Sequence, residues 1–357
     1  MSRRFLKIAA CMAAAMLVLP ASSAWAQSAV ITLPDVSQHA RVSQRIGLTD
    51  ITIDYHRPLT AGRKIFGALV PYGEVWRAGA DLNTTFDVSD SVSVEGHALA
   101  KGVYGLHMIP GPGSWTVIFS RNSTSWGSFT YDSTEDALRV QVTPRSSPAQ
   151  DVLTYSFDDP TPTSVVATLR WADVAVPVRI TVDVPHLVAA NLRLQLRGRS
   201  QTEWAAWEEA ANYFLENHLD AHEALSDAQQ SVGIEDRFEN EVTLARAFDA
   251  VGQTADAAKA RAKAVSMGTQ AQVYGFARAL QRLGQQQLAM QIFAADTARF
   301  PGTWTSHLEA TRLFVSAGNY DKAIAELARS IALAPAGMKQ PLGDVMVELQ
   351  NHVDINR

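Results

Sequence analysis

Hydrophobic positions change their rhythm once along the chain, near residue 185. Between about Arg41 and Asp183 they recur at every second residue. Ile51, Ile53 and Tyr55 alternate with Thr52, Asp54 and His56, and Val92 and Val94 alternate with Ser91, Ser93 and Glu95. Leu138, Val140 and Val142 alternate with Arg139, Gln141 and Thr143, and Val178, Ile180 and Val182 with Arg179, Thr181 and Asp183. A period of two sends one set of side chains to a core and the other to the opposite face, which predicts half-buried strands. Val117 and Phe119 alternate with Thr116 and Ile118, so that strand is expected to be covered on both faces. Pro110-Gly111-Pro112-Gly113 predicts a hairpin loop, and Ser89-Asp90 and Glu95-Gly96 mark further turns. Short strands punctuated in this way, about ten of them, predict an all-β sandwich or barrel-like fold. The antiparallel domain is expected to span 33–184.

Gly62 to Asn83 does not alternate. A loop of this length inside a compact domain is usually functional or disordered. Its apolar residues Ile65, Phe66, Leu69, Val70, Tyr72 and Trp76 predict an ordered loop packed on the sandwich.

After Pro185 alanine dominates and the chain becomes self-similar. Gly318, Ala323 and Pro335 stand 34 residues after Gly284, Ala289 and Pro301, which is the tetratricopeptide period. Gly252 and Ala257 fit an earlier unit, and Ala224 and Ala228 a still earlier, degenerate one; Ala224, Ala257, Ala289 and Ala323 are spaced by 33, 32 and 34 residues. The small Ala lets two helices approach, the Gly supports the turn between them, and the Pro stops the second helix. Four such units predict an all-α tetratricopeptide-like solenoid over 201–350, preceded by a connector at 185–200 with helix-like apolar spacing. Trp204, Trp207 and Tyr213 are expected to serve as core and cap.

The first 26 residues carry a cationic start (Arg3, Arg4, Lys7), a short apolar run and the small-x-small site Ala24-Trp25-Ala26. This is the form of a signal peptide, so the mature protein is expected to begin at Gln27 and to be periplasmic or secreted. The apolar run is too short to span a bilayer as a helix, and no stable membrane insertion is expected. The arginine pair lacks the spacing of a twin-arginine signal, so ordinary export is expected. Cys11 is the single cysteine and leaves with the leader, which excludes disulfides, thiolate metal sites and cysteine nucleophiles from the mature chain. Removing the leader leaves 28 basic against 36 acidic residues, a balance that argues against nucleic acid as a partner.

Four segments resemble a family of exported bacterial proteins catalogued only as a domain of unknown function (DUF 2911). They are Val42-Ser43-Gln44 with Ile51 to Pro58, Gly62 to Gly67 running to Pro71 to Ala80, Gly102 to Leu106 with Ile109-Pro110-Gly111, and Trp115 to Phe119 with Trp126-Gly127 and Tyr131-Asp132. The resemblance covers about residues 33–184 and implies an exported β domain without supplying an activity. Family members often continue with Asn-Glu-Ala-Thr where this chain reads Asp81-Leu82-Asn83-Thr84.

Polar groups concentrate between Tyr55 and Asn83. Tyr55, His56, Arg57, Arg63, Glu74, Trp76, Arg77 and Asn83 are the candidate ligand-binding residues. Two readings stand side by side. In one, Arg57, Arg63 and Arg77 clamp a small anionic or sugar-like ligand against a wall of Trp76 and Tyr72. In the other, Glu74 pairs with an arginine in a structural ion-pair network that fixes the loop. His56, His97 and His107 show no metal-ligand spacing, so no metal is expected. No nucleophile elbow, phosphate loop or dinucleotide fingerprint is present, and no cofactor is expected. Glu74, His56 and Asp132 are the members available for a hydrolase acting on envelope glycan or peptide. A non-enzymatic binding or scaffold protein of the envelope, with the helical repeats holding a protein or peptide partner, is the preferred reading.

Overall fold

The computed structural model describes residues 34–356; the expected leader and its cleavage site lie outside them. The amino-terminal half is a two-sheet antiparallel sandwich. Its strands are β1 (Gln38–Ile46), β2 (Thr49–Arg57), β3 (Thr85–Val88), β4 (Val92–Val94), β5 (His97–Leu99), β6 (Gly102–Ile109), β7 (Trp115–Ser120), β8 (Asp136–Val142), β9 (Arg145–Asp158) and β10 (Ser164–Thr181). One sheet runs β1-β2-β3-β6-β7-β8 and the other β5-β4-β10-β9. The period-two positions Ile51, Ile53, Tyr55, Val92, Val94, Val140 and Val142 form the shared core, together with Phe86, Leu106, Met108, Trp115 and Trp171. Ile118 is buried on the opposite face, between His107 of β6 and Arg139 of β8 in the ladder.

Two features differ from the short-strand expectation. The β9–β10 hairpin is long, with 14 and 18 residues, and it bends where Ala172 takes a positive φ of 53° at two register shifts. The Gly62–Asn83 loop is ordered, but only part of its apolar set is buried. Ile65, Phe66 and Val70 enter the core, whereas Leu69 and Tyr72 stay about half exposed.

The carboxy-terminal half is helical. The expected connector is helix α1 (Val184–Gln195), capped by the Asp183 side chain, with Ala189 buried. Four antiparallel pairs follow: α2 (Trp204–Glu216) with α3 (Ala221–Ile234), α4 (Phe238–Ala250) with α5 (Thr254–Met267), α6 (Gln270–Arg282) with α7 (Gln286–Arg299), and α8 (Trp304–Ser316) with α9 (Tyr320–Leu333). Helix α10 (Ala336–Gln350) closes the array. Ala224, Ala257, Ala289 and Ala323 are each fully buried at the close approach of their pair. Gly252, Gly284 and Gly318 end the first helix of their pairs with φ of 80°, 76° and 71°, a region that costs glycine nothing. The first pair has His218 there at φ 51°, which is why its sequence looks degenerate. Among the described residues no helix is long and apolar enough to cross a membrane.

Candidate functional site

Strand geometry separates the eight candidate residues. Tyr55 points inward: its ring packs edge-on against Tyr155 at 4.8 Å, and its hydroxyl oxygen accepts the Tyr155 backbone N–H at 3.1 Å. Arg57, on the same parity of β2, reaches β9 and donates to the Leu153 carbonyl (3.0 Å) and the Thr154 hydroxyl (2.9 Å). Arg63 closes its own turn on the carbonyls of Thr60 and Leu59. Glu74 is exposed and forms no ion pair among the described residues, so the expected Glu74–arginine network is absent. The loop is instead fastened by backbone. Gly73 N–H donates to Pro110 at 2.9 Å, and Trp76 and Met108 exchange two bonds of 2.8 Å beyond the end of β3.

Three of the eight residues do come together. Arg63, Trp76 and Arg77 line one open groove of about 460 Å³, with Leu59, Ser37 and Trp171. Trp76 stacks on Trp171 at 5.9 Å and donates its indole N–H to Gly79. Arg57 and Tyr72 do not line this groove, so the expected clamp shrinks to two arginines and one indole. Arg77 donates to the Asp81 carbonyl at 2.8 Å, and its guanidinium lies 5.9 Å from the Trp126 ring and 5.8 Å from the Phe129 ring. Those two rings stack at 5.7 Å and are 64% and 77% exposed, an unusual pairing for large apolar side chains. A guanidinium beside two aromatic faces, with no carboxylate paired to it among the described residues, can take an anion or the face of a sugar ring.

Beneath Arg77, the outer face of the six-stranded sheet buries polar groups. His56 and Asn83 are buried; the His56 Nδ1, Asn83 Oδ1 and Thr84 Oγ1 atoms have no hydrogen-bond partner among the described residues. His56 contacts Asp35 through Nε2 at 3.2 Å and packs on His39. Gly105 is the close-approach position: a Cβ there would lie 2.4 Å from the Asn122 carbonyl and 2.7 Å from the Asn83 amide. His107 meets the Ser128 hydroxyl at 2.8 Å, and burial pushes its imidazole down to about 4. Tyr131 donates to Asp136 at 2.7 Å; burial first, and that carboxylate second, push its phenol up to about 12. Glu74, His56 and Asp132 do not hydrogen-bond one another; the Asp132 carboxylate accepts from Thr134. No group of three or more His, Cys, Asp or Glu residues converges among the described residues.

The helical half holds a second set of groups. Asn212, Arg246, Arg278 and Arg312 occupy equivalent places in the first helices α2, α4, α6 and α8, each six residues before the positive-φ residue. Arg246 donates to the Asn212 side-chain carbonyl at 2.6 Å, Arg278 to Gln281 at 2.6 Å, and Arg312 to the Ile355 carbonyl at 2.7 Å. None of the three arginines pairs with a carboxylate among the described residues. Burial first, then the charges of Arg312 and Arg282, push the Arg278 guanidinium below its ordinary value. Sequence reading missed this row because it followed the small and turn residues of the repeat. The same offset, applied to the polar positions, would have found it.

Residues 37–180 match the sequence profile of the family described as "Protein of unknown function (DUF2911)". No curated protein matches the chain. Among solved structures it is similar to MamA, at 12% identity over 42% of this chain and 88% of that one, with a TM-score of 0.30. It is similar to YrrB, described as a TPR protein with an unusual peptide-binding site, at 19% identity over 45% and 84% with a TM-score of 0.28. It is also similar to a thermophilic TPR protein in Thermus thermophilus, at 16% identity over 47% and 91% with a TM-score of 0.29. The repeat assignment here stands on the spacing and turn geometry of α2–α9 in this chain.

Proposed function

We propose that this chain is an exported binding or scaffold protein of the cell envelope. Its helical repeats hold an acidic segment of a partner protein, and its β domain holds a small anionic or sugar-like ligand. The observation that carries the first part is the row Arg246, Arg278 and Arg312 on successive first helices. Arg246 and Arg278 are half-buried and have no carboxylate partner among the described residues, so they leave positive charge that an acidic chain complements; Arg312 is buried, with its guanidinium on the Ile355 carbonyl. Repeat arrays present such continuous faces because each unit adds one helix to the same side. The second part is supported by the groove at Arg63, Trp76 and Arg77 and by the exposed Trp126–Phe129 pair. Export is supported by the three-zone leader.

The test is affinity capture from envelope extract with the full chain and with its Arg246→Glu/Arg278→Glu variant. Capture of a defined partner should fall by about tenfold or more on reversing two charges. Undiminished capture by a variant with unchanged circular dichroism contradicts the reading. Amino-terminal sequencing of protein released by osmotic shock should start at Gln27. A chain beginning at Met1 in the cytosolic fraction contradicts export.

A further inference from the structure

The chain does not end with α10. After Gln350 it turns, with His352 at a φ of 54°, and runs back without regular structure to Asn356. This return carries it across the faces of α8 and α6. The His352 imidazole stacks flat on Tyr320 at 4.8 Å. Ile355 is buried in the apolar cluster of Leu308, Val315 and Leu349. Its carbonyl accepts from the Arg312 guanidinium at 2.7 Å. Asn356 is only 3% exposed, and its amide is read at both ends: its Nδ2 donates to the Arg312 carbonyl at 2.9 Å, and its Oδ1 accepts from Gln281 at 3.0 Å. Gln281 is itself oriented by Arg278.

A buried asparagine with both ends of its amide engaged is a specific contact, because an unmatched side chain there would leave the Gln281 amide with only its longer bond to Gln286, at 3.3 Å. The tail therefore uses the same arginine row that the proposed function assigns to the partner. We propose that Asn351–Asn356 is a built-in occupant of the partner-binding face, and that the partner's segment is an extended peptide of the same chemistry, a branched aliphatic residue followed by asparagine, which must displace it. This rests on the reading of the repeats as a partner site and names its recognition elements: an apolar socket for the aliphatic residue, Arg312 for the preceding carbonyl, and Gln281 with the Arg312 carbonyl for the amide. Arg246 and Arg278 lie further along the row and remain for the acidic residues of a longer segment. A tail tethered a few residues from its socket acts at an effective concentration of about millimolar. Against a peptide with an intrinsic Kd of about 100 μM, that competition weakens apparent affinity about tenfold.

The probe is a fluorescent peptide with the sequence of residues 351–356, titrated by anisotropy into the full chain and into its Ile355→Ser/Asn356→Ala variant. The variant should bind about tenfold more tightly than the wild type, and a further Gln281→Ala substitution should remove that gain. Asn356→Ala alone keeps Ile355 anchored and should give an intermediate affinity; it carries the test if the double variant loses its helical circular dichroism. Equal affinity in wild type and variants, or no binding by any of them, overturns the inference. So does a wild-type dimer that becomes monomeric in the double variant, since the tail would then occupy a second copy. If the tail variants bind no peptide while charge reversal at Arg246 and Arg278 still abolishes partner capture, the inference fails and the proposed function stands.

Discussion

The two halves bury polar groups in opposite ways, and their response to pH should differ accordingly. The β domain hides a neutral imidazole: His107 lies on the outer face of the sheet with its pKa driven down to about 4 by burial. The repeats hide carboxyls. Asp296 on α7 and Glu309 on α8 are fully buried; Glu309 accepts from the Thr297 hydroxyl at 3.2 Å, and the other three carboxyl oxygens have no hydrogen-bond partner among the described residues. Burial, and then the neighbouring acid, push Glu309 up to about 9; burial, and then Glu223, push Asp227 on α3 up to about 7. A histidine with a lowered folded pKa supports the fold above its ordinary value of 6.5 and loses that support as pH falls toward about 4. A carboxyl with a raised folded pKa supports the fold below its ordinary 4.5 and loses that support as pH rises toward about 9. Acid should therefore weaken the sandwich and alkali the repeats. A large continuous core tolerates few charges, whereas an array of alanine-spaced helices leaves room at its inter-unit seams for acids that hold a proton.

The largest effect that isolates one half is expected from Trp171→Ala. Trp171 is buried, stacked on Trp76 and edge-on to Phe66, and donates to the Asp151 carbonyl. Its loss should cost the sandwich about 3–5 kcal/mol. Near-ultraviolet circular dichroism should lose its thermal transition at the original temperature while the far-ultraviolet helical signal melts as before. A common shift of both transitions would break the comparison by showing one cooperative unit. Gly105→Ala should cost about 1–3 kcal/mol, because the new methyl meets the Asn122 carbonyl and the Asn83 amide. Faster proteolysis within the segment after Asn122 would show it; unchanged cleavage would mean that this segment does not depend on the close approach. The smallest and sharpest effect is expected from Glu309→Gln. The wild-type helical transition should weaken by about 1 kcal/mol per pH unit on raising pH through neutrality. The amide, which does not titrate, should flatten that slope. An unchanged slope in the variant would assign the pH response to other groups.

Much of this architecture is written in residue spacing. The alternation of Ile51, Ile53 and Tyr55 gives β2, and the recurrence of Gly284 with Ala289 and Gly318 with Ala323 gives the repeats. The long β9–β10 hairpin escapes the same reading for a physical reason. As the last strand of its sheet, β9 tolerates Pro148 and many polar residues, so it lacks a clean period. The first residues of β10 are buried on both faces and do not alternate at all. The candidate site was legible only in part. Alternation along β2 already implies that Tyr55 and His56 face opposite ways, so they cannot share a pocket. Trp126 and Phe129 sit in a stretch of Ser, Thr and Gly that reads as a polar turn, and only the fold brings Arg77 beside them. The Asn351–Asn356 return is invisible to periodicity because its meaning lies in contacts with α6 and α8, more than forty residues away for Arg312 and seventy-five for Gln281.

The most direct test of the interaction surface places a photo-crosslinking residue at position 275 of the full chain, an exposed site on α6 one turn before Arg278 where an added side chain meets nothing within 4 Å, with a control at Phe129, and irradiates living cells. The account predicts a covalent adduct with a second protein from position 275 and none from the control. Adducts from the control alone, with position 275 silent in a folded chain, would contradict it.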